Sequence, residues 1–229
     1  MATQKPILTG ETFRFFRDLA RHNKKSWMDA NRERYQQCVV QPFRQLLDAT
    51  APLVLQLDSR FDTSGRTGKN FSRINRDIRF AKDKTLYNTQ MYLRFTAMLP
   101  GGRESGYLYA GLSANTATAG YAIYTGPKRK ESPLALVAEP RIQGKPNWPA
   151  QQKKRLGRRY ESYWYTSKKG EWTKHDGWPL ALDDWKKIHG WVVRRKLTPA
   201  AAMRSSYVRD LAKVFRKLFP LLRFTSLPD

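Results

Sequence analysis

Apolar residues recur at helical spacing through the first quarter of the chain and at strand spacing in the middle. Phe13, Phe16, Leu19 and Ala20 form one stripe of a helix that Thr9 or Gly10 can start and His22-Asn23 breaks. Ser26 reads as the N-cap of a second helix through Trp27, Ala30, Arg34 and Gln37. Pro42 suits the first turn of a third, which carries Phe43, Leu46, Leu47, Leu53, Val54 and Leu57 and which Pro52 should kink or divide. From residue 91 the period becomes two. Met91, Leu93, Phe95, Ala97 and Leu99 alternate with Tyr92, Arg94, Thr96 and Met98, and Pro100-Gly101-Gly102 reads as a turn. Gly106 to Ser113 and Thr118 to Thr125 read as two more strands, and the short connections favour an antiparallel meander. Trp185, Ile188, Val192 and Val193 fit a helix or a helix-to-strand transition. Val208, Leu211, Ala212, Phe215, Leu218 and Phe219 make an amphipathic helix that Pro220 should stop. The expected fold class is α+β, with N-terminal helices, a central antiparallel sheet and C-terminal helices.

Charge changes this picture more than composition does. Hydrophobic residues at 40% suffice for a core, so one domain is expected over 1–229, with 126–180 a basic, aromatic-rich insertion or subdomain. The 43 Lys and Arg against 19 Asp and Glu give a net charge of +24. Such an excess repels itself in the folded state and makes nucleic acid or another polyanion the expected partner. The single Cys38 excludes an internal disulfide, and neither Cys nor His shows metal-ligand spacing, so no metal is expected. No cofactor is expected either: Gly65 to Lys69 lacks phosphate-loop spacing, and Asp62 to Lys69 reads as a flexible linker. No apolar run approaches the roughly 20 residues of a membrane span, and the start lacks a secretory core, so the expected location is cytoplasmic.

The densest chemistry lies in Phe71 to Tyr87, where Arg73, Arg76, Arg79, Lys82 and Lys84 surround only two carboxylates, Asp77 and Asp83. As a strand, Arg73, Asn75, Asp77 and Arg79 share one face while Ile74, Ile78 and Phe80 share the other. Arg76 then falls on the apolar side and requires a carboxylate or an anion beside it. As a helix, Arg73, Arg76, Asp77 and Phe80 gather instead. Either geometry sets Arg forks beside Asp77, which suits a cleft for phosphate or carboxylate. It equally suits an internal Arg-Asp network that only fixes the fold. A catalytic version would use Asp77 or Asp83 as general base, Lys84 and the Arg side chains to stabilise an anionic transition state, and Tyr87 as proton donor, on an anionic small molecule.

The pattern R-x-x-R-D-x-R-F followed by D-K-x-x-Y, at Arg73, Arg76, Asp77, Arg79, Phe80, Asp83, Lys84 and Tyr87, resembles the signature of an uncharacterised family, the domain of unknown function 2461. Phe15, Leu19, Asn23, Trp27, Arg32, Tyr35 and Pro42 upstream are similar to its early helical pattern, as are Gly111-Leu112 and Phe215, Leu218 and Pro220 downstream. Leu86 and Asn88 replace the Pro and Lys usual in that family, and residues 125–180 follow it poorly. The resemblance implies a shared fold and brings no activity with it.

A second basic site is Lys153, Lys154, Arg155, Arg158 and Arg159, just ahead of Tyr160, Tyr163, Trp164 and Tyr165. Cations there can neutralise phosphates while rings stack on unpaired bases. Tyr163 and Tyr165 alternate with Trp164 as in a strand with one buried face, so part of the cluster must be core.

Overall fold

The computed structural model describes residues 5–79, 82–99, 106–126, 132–166, 172–175 and 178–226. Phe80 and the turn expected at 100–102 lie outside the described residues. Helices occupy the N-terminal part, an antiparallel sheet the middle and helices the C-terminal part, as the pattern predicts. No described helix is long and apolar enough to cross a membrane.

Helix α1 spans Gly10–Arg21 and buries Phe13, Phe15, Phe16 and Leu19, while Ala20 is exposed. Two short helices follow, α2 at Lys25–Ala30 and α3 at Arg32–Tyr35, and then a π-helical turn at Gln36–Val40. The second expected helix is therefore divided at Asn31, whose side chain bonds the Trp27 carbonyl at 2.9 Å. Its cap is Lys24 rather than Ser26, because the Lys24 carbonyl already accepts the first helical bond, from the Met28 N–H at 3.1 Å. Helix α4 runs Gln41–Leu55 with Pro42 in its first turn, and it continues through Pro52 without dividing.

Strands β1 (Gln90–Thr96), β2 (Tyr107–Ser113) and β3 (Ala117–Tyr124) are neighbours in chain order, the expected meander. Helices α5 (Pro133–Gly144) and α6 (Trp148–Leu156) follow, neither foreseen, since Pro140 and a weak apolar stripe hide the first. Then come β4 (Glu161–Thr166), β5 (Trp172–His175), α7 (Leu182–Lys187), β6 (Ile188–Leu197), α8 (Pro199–Ala202) and α9 (Tyr207–Thr225). The sheet order is β1-β2-β3-β6-β4-β5, with β4 antiparallel to both β5 and β6. Helix α7 passing directly into β6 is the transition expected at 185–193. Helix α9 does not stop at Pro220. Loss of one N–H bond there is offset by burial of Leu221, Leu222 and Phe224 on the following turn.

The chain divides into two compact units. The first comprises residues 1–95, 109–118 and 197–213, and the second 96–108, 119–196 and 214–229. Phe13, Phe16, Leu46, Val54, Leu93 and Phe95 are buried in the first. Tyr121, Trp185, Ile188, Trp191, Leu218 and Leu221 are buried in the second.

Candidate anion cleft

The motif forms an irregular hairpin. Residues 70–76 run antiparallel to 86–94, through Arg94 N–H to the Asn70 carbonyl at 2.7 Å and Ser72 N–H to the Tyr92 carbonyl at 3.0 Å. Beyond a register shift, Asn88 N–H reaches the Ile74 carbonyl at 2.7 Å and Arg76 N–H the Leu86 carbonyl at 2.9 Å. Side chains alternate accordingly: Arg73, Asn75, Asp77 and Arg79 are exposed, Ile74 is buried, and Arg76 and Ile78 are intermediate. This is the strand reading, and the helical alternative is excluded. Arg76, turned inward, takes the carboxylate that its position demands. Its Nη1 donates to Asp83 Oδ2 at 2.5 Å and to the Thr85 hydroxyl.

Asn23 and Asn70 hold the hairpin's backbone. Asn23 accepts from Tyr87 N–H at 2.9 Å and donates to the Tyr87 carbonyl at 2.8 Å, an extended-strand pairing made by a side chain. Asn70 donates to the carbonyls of Asp62 at 2.6 Å and Arg94 at 3.0 Å, and accepts from Gly65 N–H at 2.9 Å. The segment expected to be a flexible linker is thereby a tied loop, with Asp62 Oδ1 accepting from Ser64 N–H at 2.8 Å.

Beside this hairpin lies a cleft of about 520 Å³ lined by Arg73, Arg76 and Arg94 together with Ser72, Asn75, Asp77, Asn88 and Gly68. Three guanidinium groups thus face one carboxylate, and that carboxylate is already matched: Asp77 accepts from Arg79 Nε at 2.9 Å and Nη2 at 2.7 Å. The Arg79 side chain, then its backbone N–H, holds the Asp77 carboxyl below its ordinary range. Asp77 is accordingly ionised at neutral pH and a poor proton acceptor. Arg73 is exposed and makes no ion pair or side-chain hydrogen bond among the described residues.

Of the residues the motif singles out, Arg73, Arg76 and Asp77 line this cleft together. Arg79, Lys82 and Lys84 do not line it. They lie at the hairpin tip, where Lys84 Nζ donates to the Ile78 carbonyl at 3.0 Å. Tyr87 is 5% exposed and is also absent from the lining. Sequence reasoning missed Arg94, although its signal was present: it alternates with buried Leu93 and Phe95, so a cation stands on the outer face of β1. Nothing in local sequence says that β1 pairs with the motif.

Asp83 at the tip titrates low, at about 2, because it accepts from the Thr85 N–H, the Arg76 guanidinium and the Thr85 hydroxyl, in that order. A carboxyl depressed in the folded state contributes stability above its unfolded value and loses it as pH falls through the folded one. The tip should therefore loosen between about pH 4 and pH 2. A titration of the Thr85 amide resonance should show its midpoint near the lower end, and a midpoint at an ordinary Asp value would refute this pairing.

The second unit holds the other basic stretch. Lys153, Lys154, Arg155, Arg158 and Arg159 are all exposed on α6 and the 3₁₀ turn at Gly157–Arg159. Arg155 also packs, with Nε bonding Gln152 at 2.9 Å and Nη2 reaching the Lys217 carbonyl. The rings behind them are core: Tyr160, Trp164 and Tyr165 are buried. Tyr163 lies under the Arg194 guanidinium, 4.4 Å from the ring centroid, and its hydroxyl donates to Glu161 at 3.1 Å.

A family model described as conserved hypothetical protein (DUF2461) matches residues 11–137, which include the hairpin and every residue of the cleft. A search of curated proteins finds no match.

Proposed function

The chain belongs to this conserved family, DUF2461, and from that premise we propose that it binds nucleic acid through phosphates held in the Arg73, Arg76 and Arg94 cleft. One observation carries the reading: Arg73, Arg76 and Arg94 border one polar cleft, and Arg73 is exposed there with no ion pair among the described residues. Arg76 is matched by Asp83 and Asp77 by Arg79, so Arg73 offers an open fork at the cleft, and the planar Arg fork matches phosphate oxygens two at a time. The net charge of +24 supplies long-range attraction. Lys153, Lys154, Arg158 and Arg159 form an auxiliary basic surface on the second unit. With their rings buried, these cations would contribute charge alone. The acid–base alternative has less support, because Arg79 holds the Asp77 carboxyl below its ordinary range, which makes it a weak base, and Tyr87 is not at the cleft.

Fluorescence-anisotropy titration of labelled single strands and duplexes over a range of salt tests the proposal. The log–log salt slope should rise by about 0.7 per phosphate contact on single strands and about 0.9 on duplex. Arg73→Ala removes a guanidinium with no described ion pair, so the fold should persist while the slope falls by about one contact. Lys153→Ser/Lys154→Ser/Arg158→Ser/Arg159→Ser should lower affinity as well. Weak, salt-insensitive binding that neither variant changes would overturn the reading.

A further inference from the structure

The arginine cleft has a smaller neighbour. A recess of about 260 Å³ is lined by Tyr35, Val40, Phe43, Phe71, Ile74 and Met91, with Arg44 and Thr67 at its exposed rim. It shares Ser72, Arg73 and Asn75 with the cleft, so a single stretch of the hairpin borders both spaces. One space is polar and cationic, and the other is walled by rings and aliphatic groups. We propose that together they hold one unpaired nucleotide of a single strand, its base in the apolar recess and its phosphate among the arginines. This rests on the phosphate reading above and gives it a preference for unpaired bases.

Size and chemistry agree. The recess falls below the roughly 300–1,000 Å³ of pockets that take drug-sized molecules, so it fits one flat ring system and not a stacked pair. Phe43 and Phe71 meet edge to face, with centroids 6.5 Å apart at 74°, and are 1% and 4% exposed, so the recess borders a small part of each ring. Tyr35 bonds Met91 Sδ weakly at 3.9 Å, and burial pushes its phenol up to about 12, so the wall is neutral at physiological pH. Val40 reaches the recess from the π-helical turn at Gln36–Val40, the kind of widened turn that recurs at binding sites.

The residues at the seam can act as polar readers. The Asn75 amide makes no side-chain hydrogen bond among the described residues. The Ser72 oxygen accepts from Tyr92 N–H at 2.9 Å, which leaves its own O–H to donate. The Arg73 guanidinium lies against Gly68, where a methyl group would come within 3.8 Å of its Nε and Nη2. Gly68 adopts φ +85°, so the loop backbone approaches the guanidinium in a conformation that side chains disfavour. A base inside a duplex is paired and stacked and cannot enter such a recess without being extruded. A base in a single strand can, at the cost of little stacking.

The experiment compares oligo-dT with an abasic strand of the same length and phosphate count, by anisotropy at fixed salt, on the full chain. Wild type should bind oligo-dT about tenfold more tightly than the abasic strand, the scale of one base on an aromatic wall. Thr67→Trp, which plugs the recess from its exposed rim, should erase that difference and leave the salt slope intact. Equal binding of the two strands by wild type, with a steep salt slope, would overturn the base recess and leave the phosphate cleft standing. Loss of salt dependence on both strands would overturn the phosphate reading and this inference with it. The wild-type comparison decides the matter without any variant having to fold.

Discussion

Asn70→Ala is expected to destabilise the first unit by about 2–4 kcal/mol, measured as a lower urea midpoint at unchanged slope. The side chain is 1% exposed and completes three hydrogen bonds to the main chain, two given to carbonyls and one accepted from Gly65. Alanine leaves all three backbone groups without their partner in a site poorly reached by water, and each such loss costs about 1–3 kcal/mol before relaxation. Asn70→Asp should be worse at neutral pH. The carboxylate could still accept from Gly65, but it would face the Asp62 and Arg94 carbonyl oxygens with no proton to offer either. Its folded-state pKa would be raised, so the variant should regain stability as pH falls through that raised value towards the unfolded one, the opposite of the Asp83 dependence. An Asp variant as stable as wild type at pH 7 would show that Asn70 does not tie the loop.

Asn70 also marks where sequence reasoning reaches its limit. Polar and apolar alternation fixes which face each motif residue takes, because strand geometry has a period of two and burial selects the face. Arg73, Asn75, Asp77 and Arg79 outward and Ile74 inward follow from that alone. The same rule sets Arg76 inward and so demands a partner, but not which one. Asp83 meets it only because the hairpin returns seven residues later. Arg94 enters the cleft through backbone pairing of β1 with residues 70–72, a long-range register that a local pattern does not encode. The 62–69 loop looked like a linker for a related reason. It holds its shape with side-chain to backbone bonds from Asp62 and Asn70, and such bonds leave no periodic trace. Helix α9 shows the converse, where burial of Leu221 and Leu222 overrides the proline that local propensity treats as a stop.

The rings of the second unit give the other large effect, and it bears on function. Trp191→Ala should cost about 3–5 kcal/mol, the range for emptying the space of a buried aromatic. Trp191 is 1% exposed and meets three rings edge to face: Trp185 at 5.3 Å, Trp178 at 5.4 Å and Tyr121 at 5.8 Å between centroids. Its indole N–H donates to the Ser162 hydroxyl across the β4–β6 pairing at 3.0 Å. Trp191→Phe keeps a ring in the cluster and loses that bond and some volume, so its cost should be nearer 1–2 kcal/mol, roughly. A ring cluster that stacked on bases would behave in the reverse way. Its truncation would weaken oligonucleotide binding and leave the unfolding midpoint close to wild type, because an exposed platform carries little packing energy. Here the unfolding midpoint should move and the affinity of the folded fraction, measured well below that midpoint, should not. An affinity loss at full stability would place base stacking in the second unit and remove the case for confining it to the recess beside Arg73.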